Sequence, residues 1–479
     1  MFIVNNRRGG GKLASLRTVS SLAMAAGAAA LMAPSTAHAV PSYARQTGLA
    51  CEACHTVFPQ LTPFGRRFKL NGYTLTTGPG VSDVNEQKQS TLSLADLPPI
   101  SAMIEATDTF WNGAPADKAG QGKIQNGDVL FPRQLSLFYA GRIADHLGAY
   151  AQITYEGAGD HLSIDNTDIR YSDHTSNNQW VWGVSLNNNP GVQDVWENNP
   201  GGWAFPFIKA AQYSGARFWA GSAQPMIMGL GKASGGVGAY VFYNDSVYLE
   251  ASVYKTVMPG SNAVDAAEAS ANGAIQNGAP YWRAAYEKDI GDNSFQVGTT
   301  GMFMKVENFI GQGLGFSQGA ANSYTDLGLD AQYQHITGNH IFELTGNYWH
   351  ESQDINAANI GTANSNGHDS LDWVEVVGSY WYQRKFGGSI GFVNQSGSRD
   401  ALAYTGGGAG GMASLNGSPN TQFETLEVDY MPWLNTKFMV QYNIYNEVMG
   451  GSSFTDMNTG LRRSASDNNT LMIGMWTAF

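Results

Sequence analysis

Past residue 100 the chain alternates between apolar and polar side chains, and the connections between the alternating segments come in two lengths. In His146–Tyr155, Ser246–Tyr254 and Phe438–Tyr445, apolar residues alternate with residues that are mostly polar and uncharged. This period of two predicts β-strands with one apolar face. A soluble β-sandwich would show the same period, so the period alone does not choose between fold classes.

The lengths of the connections do distinguish the fold classes. Short turns are predicted at Asn244-Asp245, Gly291–Asn293, Thr337–Asn339, Phe386–Gly388 and Asn435–Thr436, with long polar loops near 257–280, 307–322, 352–369, 397–421 and 448–469. Short and long connections alternate strictly along this pattern. Outer-membrane barrels have short periplasmic turns and long external loops, whereas a sandwich has no reason to sort its loops in this way.

The strand count supports a barrel. With one strand counted in 208–243, about 16 strands run from Ile100 to Phe479, and the final segment NNTLMIGMWTAF alternates up to a terminal phenylalanine, as outer-membrane barrels do. An even count places both barrel ends in the periplasm, and a barrel of this size leaves a lumen. The predicted fold class is therefore all-β, a transmembrane antiparallel β-barrel of about 16 strands with a small, mostly helical N-terminal module in or at its lumen.

Composition agrees with this fold and limits the partners. Only 14% of the residues are charged, 12% are aromatic, and the net charge is -12. An acidic chain argues against nucleic acid as a partner. Residues 40–80 are an exception, since four basic residues stand against Glu52 alone. A small basic head therefore precedes an acidic body, which suits attraction between the two, or between the body and cations.

The first 39 residues predict an export signal. A basic start containing Arg7 and Arg8 precedes the apolar run Leu22–Met32, and Ala37-His38-Ala39 fits the cleavage pattern of small residues. A membrane anchor is disfavoured because a spanning helix needs roughly 20 apolar residues. The predicted organisation is a signal peptide at 1–39, an N-terminal module at 40–98, and a porin-like barrel at 99–479.

The sequence Cys51-Glu52-Ala53-Cys54-His55 is C-x-x-C-H, the motif for attachment of a c-type haem. The two thiols would form thioethers to the haem vinyl groups, and His55 would give the iron one axial nitrogen. A structural disulfide would not require His55, a thioredoxin-like pair needs a βαβ setting, and a zinc site needs further Cys or His nearby. The motif therefore predicts one covalently attached haem c.

The residues after the motif predict a supporting helix. Thr62 suits its cap, Pro63 suits its first position, and Asn71-Gly72 suits its end. Arg66 and Arg67 are candidates for contacts with the haem propionates. A solvated basic helix face explains either arginine equally well.

Residues 40–98 are too few to enclose a haem unaided. They contain no Met, and no His other than His55, so they offer no second His or Met ligand for the iron. The inner wall of the barrel is therefore expected to complete the pocket. In the first strand Met103 and Glu105 are predicted to face inward, and Met103 is the candidate second axial ligand. A Met ligand would raise the reduction potential relative to two His ligands, and an inward structural Met is the competing interpretation.

This combination resembles the fused cytochrome–porin family, the outer-membrane monohaem cytochromes of iron-oxidising bacteria. The resemblance is closest over Pro41–Tyr73, continues from Phe131 and from Val184, and extends as an architecture to Phe479. It implies oxidation of Fe(II) at the cell surface and transfer of the electron through the haem to a periplasmic carrier, a soluble cytochrome or a blue-copper protein (cupredoxin). On this resemblance Cys51 and Cys54 hold the haem and His55 ligates its iron, and no iron-binding motif of the family can be placed.

Two other functions stay open. One is a solute or ion porin whose haem module is a plug or a sensor, and the other is uptake of electrons from a different surface donor. A soluble haem enzyme fits badly with the paired loop lengths. The expected location is the outer membrane, in contact with its lipid, with both termini on the periplasmic side.

Overall fold

Within the described residues, three short helices precede the barrel. The computed structural model describes residues 42–56, 60–75, 99–113, 127–157, 160–198, 224–231, 234–256, 274–307, 320–405, 412–456 and 460–479. The signal peptide predicted at 1–39 lies outside these residues. The helices are α1 (Ser42–Thr47), α2 (Cys51–Cys54) and α3 (Pro63–Leu70). The N-terminal module is therefore helical where it is described, as the sequence predicts.

One sheet contains 17 strands within the described residues, among them the two-residue strand Ala274–Ile275, which leaves 17 - 1 = 16 barrel strands. These are β1 (Ile100–Trp111), β2 (Asp128–Ala144), β3 (Leu147–Glu156), β4 (His161–His174), β5 (Trp180–Asn187), β6 (Ser234–Tyr243), β7 (Val247–Thr256), β8 (Ala279–Ile290), β9 (Asn293–Glu307), β10 (Ala321–Ile336), β11 (His340–Asp354), β12 (His368–Tyr382), β13 (Phe386–Gly397), β14 (Thr421–Trp433), β15 (Thr436–Glu447) and β16 (Thr470–Ala478).

The sheet closes on itself. Each barrel strand pairs antiparallel with the next one along the chain, and β16 pairs antiparallel with β1, with Ala478 opposite Met103 and Thr470 opposite Trp111. Closure pairs the sheet edges that would otherwise stay open. The predicted all-β antiparallel barrel of about 16 strands is confirmed.

Seven short connections lie at one end of the barrel, which we call the short-turn end. They are 145–146, 175–179, 244–246, 291–292, 337–339, 383–385 and 434–435. The predicted alternation has one exception, because only 157–160 separates β3 from β4 at the opposite end. One turn is also displaced from its predicted position. Phe386–Gly388 belongs to β13, and the turn is made by Gln383 and Arg384, whose φ angles are 52° and 56°.

The outer surface of the barrel is apolar. Outward side chains in the middle of the strands include Val297, Leu329, Ile390, Val428 and Ile473, each more than 40% exposed. Exposed aromatic side chains ring the short-turn end, namely Tyr171, Trp180, Tyr243, Tyr286, Phe295, Phe342, Tyr380, Tyr382, Phe386 and Tyr430. An apolar band bordered by aromatic residues is typical of outer-membrane barrels. The chain therefore forms a membrane-spanning barrel of that type. Within the described residues, no helix combines the length and the hydropathy that a membrane crossing requires.

The interior is polar and holds two chain segments. The first is the module segment 42–75, and the second runs from the 3₁₀ helix Pro190–Gln193 to Asn198, whose amide donates to Gln296 at 2.6 Å. Arg283 of β8 joins the second segment to the wall, because its guanidinium lies 2.9 Å from the Asp194 carboxylate and 2.8 Å from that of Asp330. Both segments therefore attach to the barrel through buried polar groups.

The outward band makes a prediction about stability. Val297 lies on the outer face of β9, and Ile290 lies beside the short turn that precedes it, and both are 59% exposed. Changing Val297 to Arg is expected to lower the free energy of unfolding in lipid vesicles by about 2–4 kcal/mol, whereas Ile290→Arg should cost only about 0–1 kcal/mol. Urea unfolding followed by tryptophan fluorescence measures both, and equal costs would place Val297 outside the hydrocarbon.

Candidate functional site

The C-x-x-C-H motif folds as one helical turn with the chain folded back over it. α2 spans the two cysteines, and the His55 N–H donates to the Cys51 carbonyl oxygen at 2.9 Å. The Thr62 N–H then donates to the Cys54 carbonyl at 2.9 Å, and the Thr62 hydroxyl donates to the Ala53 carbonyl at 2.6 Å. These bonds satisfy carbonyls that a short helix leaves without intrahelical partners.

α3 begins and ends where the sequence predicts, and it packs directly on the motif. Thr62 caps it by accepting from the Gly65 N–H at 3.1 Å, and Pro63 stands at its first position. A Cβ atom at Gly65 would lie 2.2 Å from the Cys54 carbonyl oxygen. Only glycine therefore allows the helix to approach the motif this closely.

Arg66 anchors this segment to the barrel wall. It is 2% exposed, and its Nε lies 2.7 Å from Glu287 of β8. Its Nη atoms donate to the Ser294 hydroxyl at 2.9 Å and to Gln334 at 3.0 Å. The side chain predicted to meet haem propionates is thus engaged with three strands of the wall.

The remaining anchors connect the module segment to the second lumen segment and to β4. Lys69 donates to the Val192 carbonyl of the 3₁₀ helix at 2.6 Å, and the Tyr73 hydroxyl donates to Asp168 of β4 at 2.6 Å. Burial, followed by the nearby Arg170 charge, lowers the pKa of Lys69 to about 8. Together with Arg66, these contacts hold α3 and the residues after it between β4 on one side and β8 to β10 on the other.

The segment lies at the short-turn end of the lumen. Arg67 pairs with Asp245 at 3.2 Å and with Asp289 at 3.0 Å, beside the turns at 244–246 and 291–292. Arg384, in the turn at 383–385, lies 3.4 Å from the Glu52 carboxylate and donates to the His55 carbonyl at 3.4 Å. The predicted placement of the motif in the lumen agrees with these contacts, and the motif lies close to one mouth.

A narrow, partly open cleft separates the motif from the inner wall. Its lining comes from the module (Cys51, Glu52, His55, Thr56) and from the wall (Trp381, Arg384, Met431, Leu434). The cleft therefore brings the motif face to face with β12, β14 and two short turns.

Both cysteines are thiols in this structure. Burial raises the pKa of Cys51 to about 11 and that of Cys54 to about 11. Since the thiolate is the form that attacks disulfides and oxidants, a raised pKa disfavours redox exchange by this pair at neutral pH.

The wall of the cleft contains an apolar patch. Ile341, Trp381 and Met431 form a buried apolar cluster, although the lumen around them is polar, with Glu343 and Asp429 on the same strands as two of them. The indole N–H of Trp381 is buried and has no hydrogen-bond partner in the described part of the chain. A donor of this kind on an apolar wall is what a bound group with acceptor atoms would satisfy.

The predicted site residues separate into two sets. Cys51 and His55 line the cleft, and Cys54 belongs to the same helical turn without lining it. Arg66 and Arg67 instead pair with wall carboxylates, and Met103 packs in another cluster with Met439 and Met472. Sequence reasoning missed Trp381, Arg384 and Met431. The signal that could have found them is their position next to short turns, because those turns mark the height of the motif in the barrel.

The described residues contain no group of three or more His, Cys, Asp or Glu arranged to hold a metal ion.

No protein-family model matches the chain, and no curated protein matches it. Among solved structures the chain is similar to OmpT, an outer membrane protein of Vibrio cholerae, with 12% identity, 79% of this chain and 96% of that chain covered, and a TM-score of 0.43. It is also similar to the outer membrane channel DcaP of Acinetobacter baumannii (12% identity, 79% and 96% covered, TM-score 0.44) and to an anion-selective porin from Comamonas acidovorans (12%, 79% and 98%, TM-score 0.45).

Proposed function

We propose that this chain is an outer-membrane electron-transfer protein that oxidises Fe(II) from outside the cell and passes the electron through one haem c to a periplasmic carrier. The observation that carries the proposal is the cleft, in which the C-x-x-C-H motif faces an apolar patch of an otherwise polar wall. Residues 40–98 are too few to enclose a haem unaided, and the wall of the cleft would supply the missing side.

The chain's own residues would divide the work as follows. Cys51 and Cys54 would hold the haem through thioethers, and His55 would bind its iron. Trp381 and Met431 would exclude water from one face of the ring. Arg384, whose guanidinium lies at the cleft beside Glu52, is the group best placed to balance propionate charge. When bound, the haem supplies a one-electron centre, so each Fe(II) oxidised to Fe(III) delivers one electron.

The direction of transfer follows from the barrel. In outer-membrane barrels the short turns face the periplasm, so the motif and both described chain ends lie on the periplasmic side in this proposal. A cytochrome or cupredoxin would reach the haem at that mouth. The donor would have to enter the lumen from the long-loop end, and the acidic chain, with its net charge of -12, favours a cation there.

The second candidate function is a solute or ion porin whose module is a plug or a sensor. The barrel itself favours it, because 16 strands enclose a lumen wide enough for a channel. Against it stand the two segments inside the lumen, which are held to the wall by Arg66 and Arg283 with distances below 3 Å. A donor other than Fe(II) would use the same cleft.

The test is anaerobic mixing of the purified ferric protein with Fe(II) in detergent. The expected result is reduction of one haem per chain, followed by its reoxidation on addition of an oxidised c-type cytochrome. Dithionite is the control for a redox-active haem. Reduction by dithionite but not by Fe(II) would identify a different donor. A haem-free protein that conducts ions in planar bilayers would favour the porin instead.

A further inference from the structure

The apolar wall of the cleft contains a sulfur atom. Met431 is 9% exposed and packs with Trp381 and Ile341, on the wall that faces Cys51 and His55 across the cleft. Its neighbours on β14 at the two preceding inward positions are Glu427 and Asp429. Met431 is therefore the next inward residue of the strand after two inward carboxylates.

The backbone of β14 holds Met431 in this position. The Met431 N–H donates to the Lys385 carbonyl oxygen at 2.7 Å, in the turn next to Arg384, and this bond extends the ladder between β13 and β14. On the other side of β14, the register with β15 shifts between Tyr430 and Trp433, where Pro432 offers no N–H to the ladder. Met431 keeps the inward alternation of the strand, and the bond to Lys385 fixes its backbone beside the turn that also carries Arg384.

Trp381 supports Met431 across the strand between them. β13 separates β12 from β14, and at Gly387 of β13 a Cβ atom would lie 2.4 Å from the indole Cε2 of Trp381. The absence of that Cβ lets the indole lie flat on the wall and reach Met431. The thioether is thus packed on one side, and the cleft remains on its other side.

Few side chains of the cleft can bind iron. Arg384 and Trp381 have no acceptor atom, and Leu434 has no polar side-chain atom. Glu52 is paired with Arg384, and the Thr56 hydroxyl donates to Glu343 at 2.7 Å. With the two cysteines used for attachment, the remaining donors among the described lining residues are the His55 imidazole and the Met431 thioether.

We propose that Met431 is the second axial ligand of the haem iron, opposite His55, and that Trp381 is a positioning residue for it. This proposal rests on the proposed haem attachment. It replaces Met103, which faces inward as the sequence predicts but packs with Met439 and Met472 and does not line the cleft. A Met ligand raises the reduction potential above that of two His ligands, which suits a weak reductant such as Fe(II).

The experiment compares Met431→Leu with Met472→Leu in the haem-loaded full-length barrel. Leu conserves volume in a packed site, so both variants should keep the heat-dependent gel mobility of a folded barrel. Met431→Leu is expected to lose the sulfur-to-iron charge-transfer band of the ferric protein, to lower the reduction potential, and to bind added cyanide faster. Met472→Leu should change none of these, and Met431→His should give the low-spin spectrum of a bis-His haem at a lower potential.

The outcomes separate the two proposals. If the wild-type protein carries no covalent haem, the proposed function fails before the ligand is tested. If haem is present but Met431→Leu keeps the wild-type ferric spectrum and potential, Met431 is not the ligand, whereas the proposed function stands. A change of spectrum in Met103→Leu without one in Met431→Leu would also overturn the assignment.

Discussion

Replacing both Cys51 and Cys54 by serine is expected to abolish covalent haem while leaving the barrel folded. The two thiols are the only cysteines in the sequence, so no other residue can form the thioethers. They lie in α2, which contributes nothing to the closed sheet, so the barrel should still resist denaturation until it is heated. Intact-mass measurement and haem staining of a denaturing gel give the readout, after expression with a c-type maturation system.

The wild-type chain produced in the same way is the control, and its mass should exceed that of the polypeptide by one haem. Loss of the barrel in the double variant would instead mean that the thiols are needed for folding. A wild-type chain without added mass would contradict the haem assignment altogether and favour the porin.

Changing Arg66 to Met is expected to loosen the module from the lumen. The guanidinium is buried against the equally buried Glu287 at 2.7 Å, so its removal leaves a buried carboxylate without its cation. Breaking a buried ion pair in this way costs about 3–5 kcal/mol, which corresponds to a rise in the released population of about a hundredfold or more. Proteolysis of the segment 42–75 under native conditions should accelerate accordingly, because cleavage follows the population of the open form.

Arg67→Met is the matched control for this variant. Arg67 is also paired with two carboxylates, but its side chain is 33% exposed and the side chain of its partner Asp289 is 30% exposed. Exposed pairs contribute about 0–1 kcal/mol, so the cleavage rate should change less than tenfold. Equal effects of the two variants would show that the buried network around Glu287 does not hold the module.

The sequence predicts the barrel fold and its strand count, because the membrane imposes two patterns on the chain. These are the alternation of apolar and polar residues along each strand and the alternation of short and long connections between strands. One face of each strand has to meet lipid, so the period of two survives in nearly every strand. The start of the barrel at Ile100 and the helix cap at Thr62 were predictable for the same kind of reason, since each depends on neighbours in the sequence.

The turn at 383–385 was not predictable in this way. The glycines of Phe386–Gly388 are a strong turn signal, yet the turn consists of Gln383 and Arg384 in left-handed conformations. Gly387 is needed for a different purpose, which is to leave room for the indole of Trp381. A glycine that makes space for a cross-strand side chain cannot be told apart from a turn glycine until the strands are paired.

The proposed ligand Met431 escaped prediction for a related reason. The sequence points to Met103 because it is an inward methionine of the first strand, whereas Met431 is 376 positions after His55. In a closed barrel, height along the axis depends on strand register, and the chain returns to the short-turn end with every second strand. Residues beside any of those turns are equally near the motif, and only the paired structure shows which ones face it.

For the proposed electron transfer, the position of the motif near one mouth has a consequence for the choice of reductant. β10 and β11 each run for about 15 residues at ~3.3 Å per residue, so even tilted strands put several nanometres between the outer rim and Cys54. Electron tunnelling fades steeply over such a span. A hydrated Fe(II) ion that can diffuse into the lumen would therefore react far faster than Fe(II) bound in a bulky chelate. The depth of the lumen would thus make the protein select its electron donor by size.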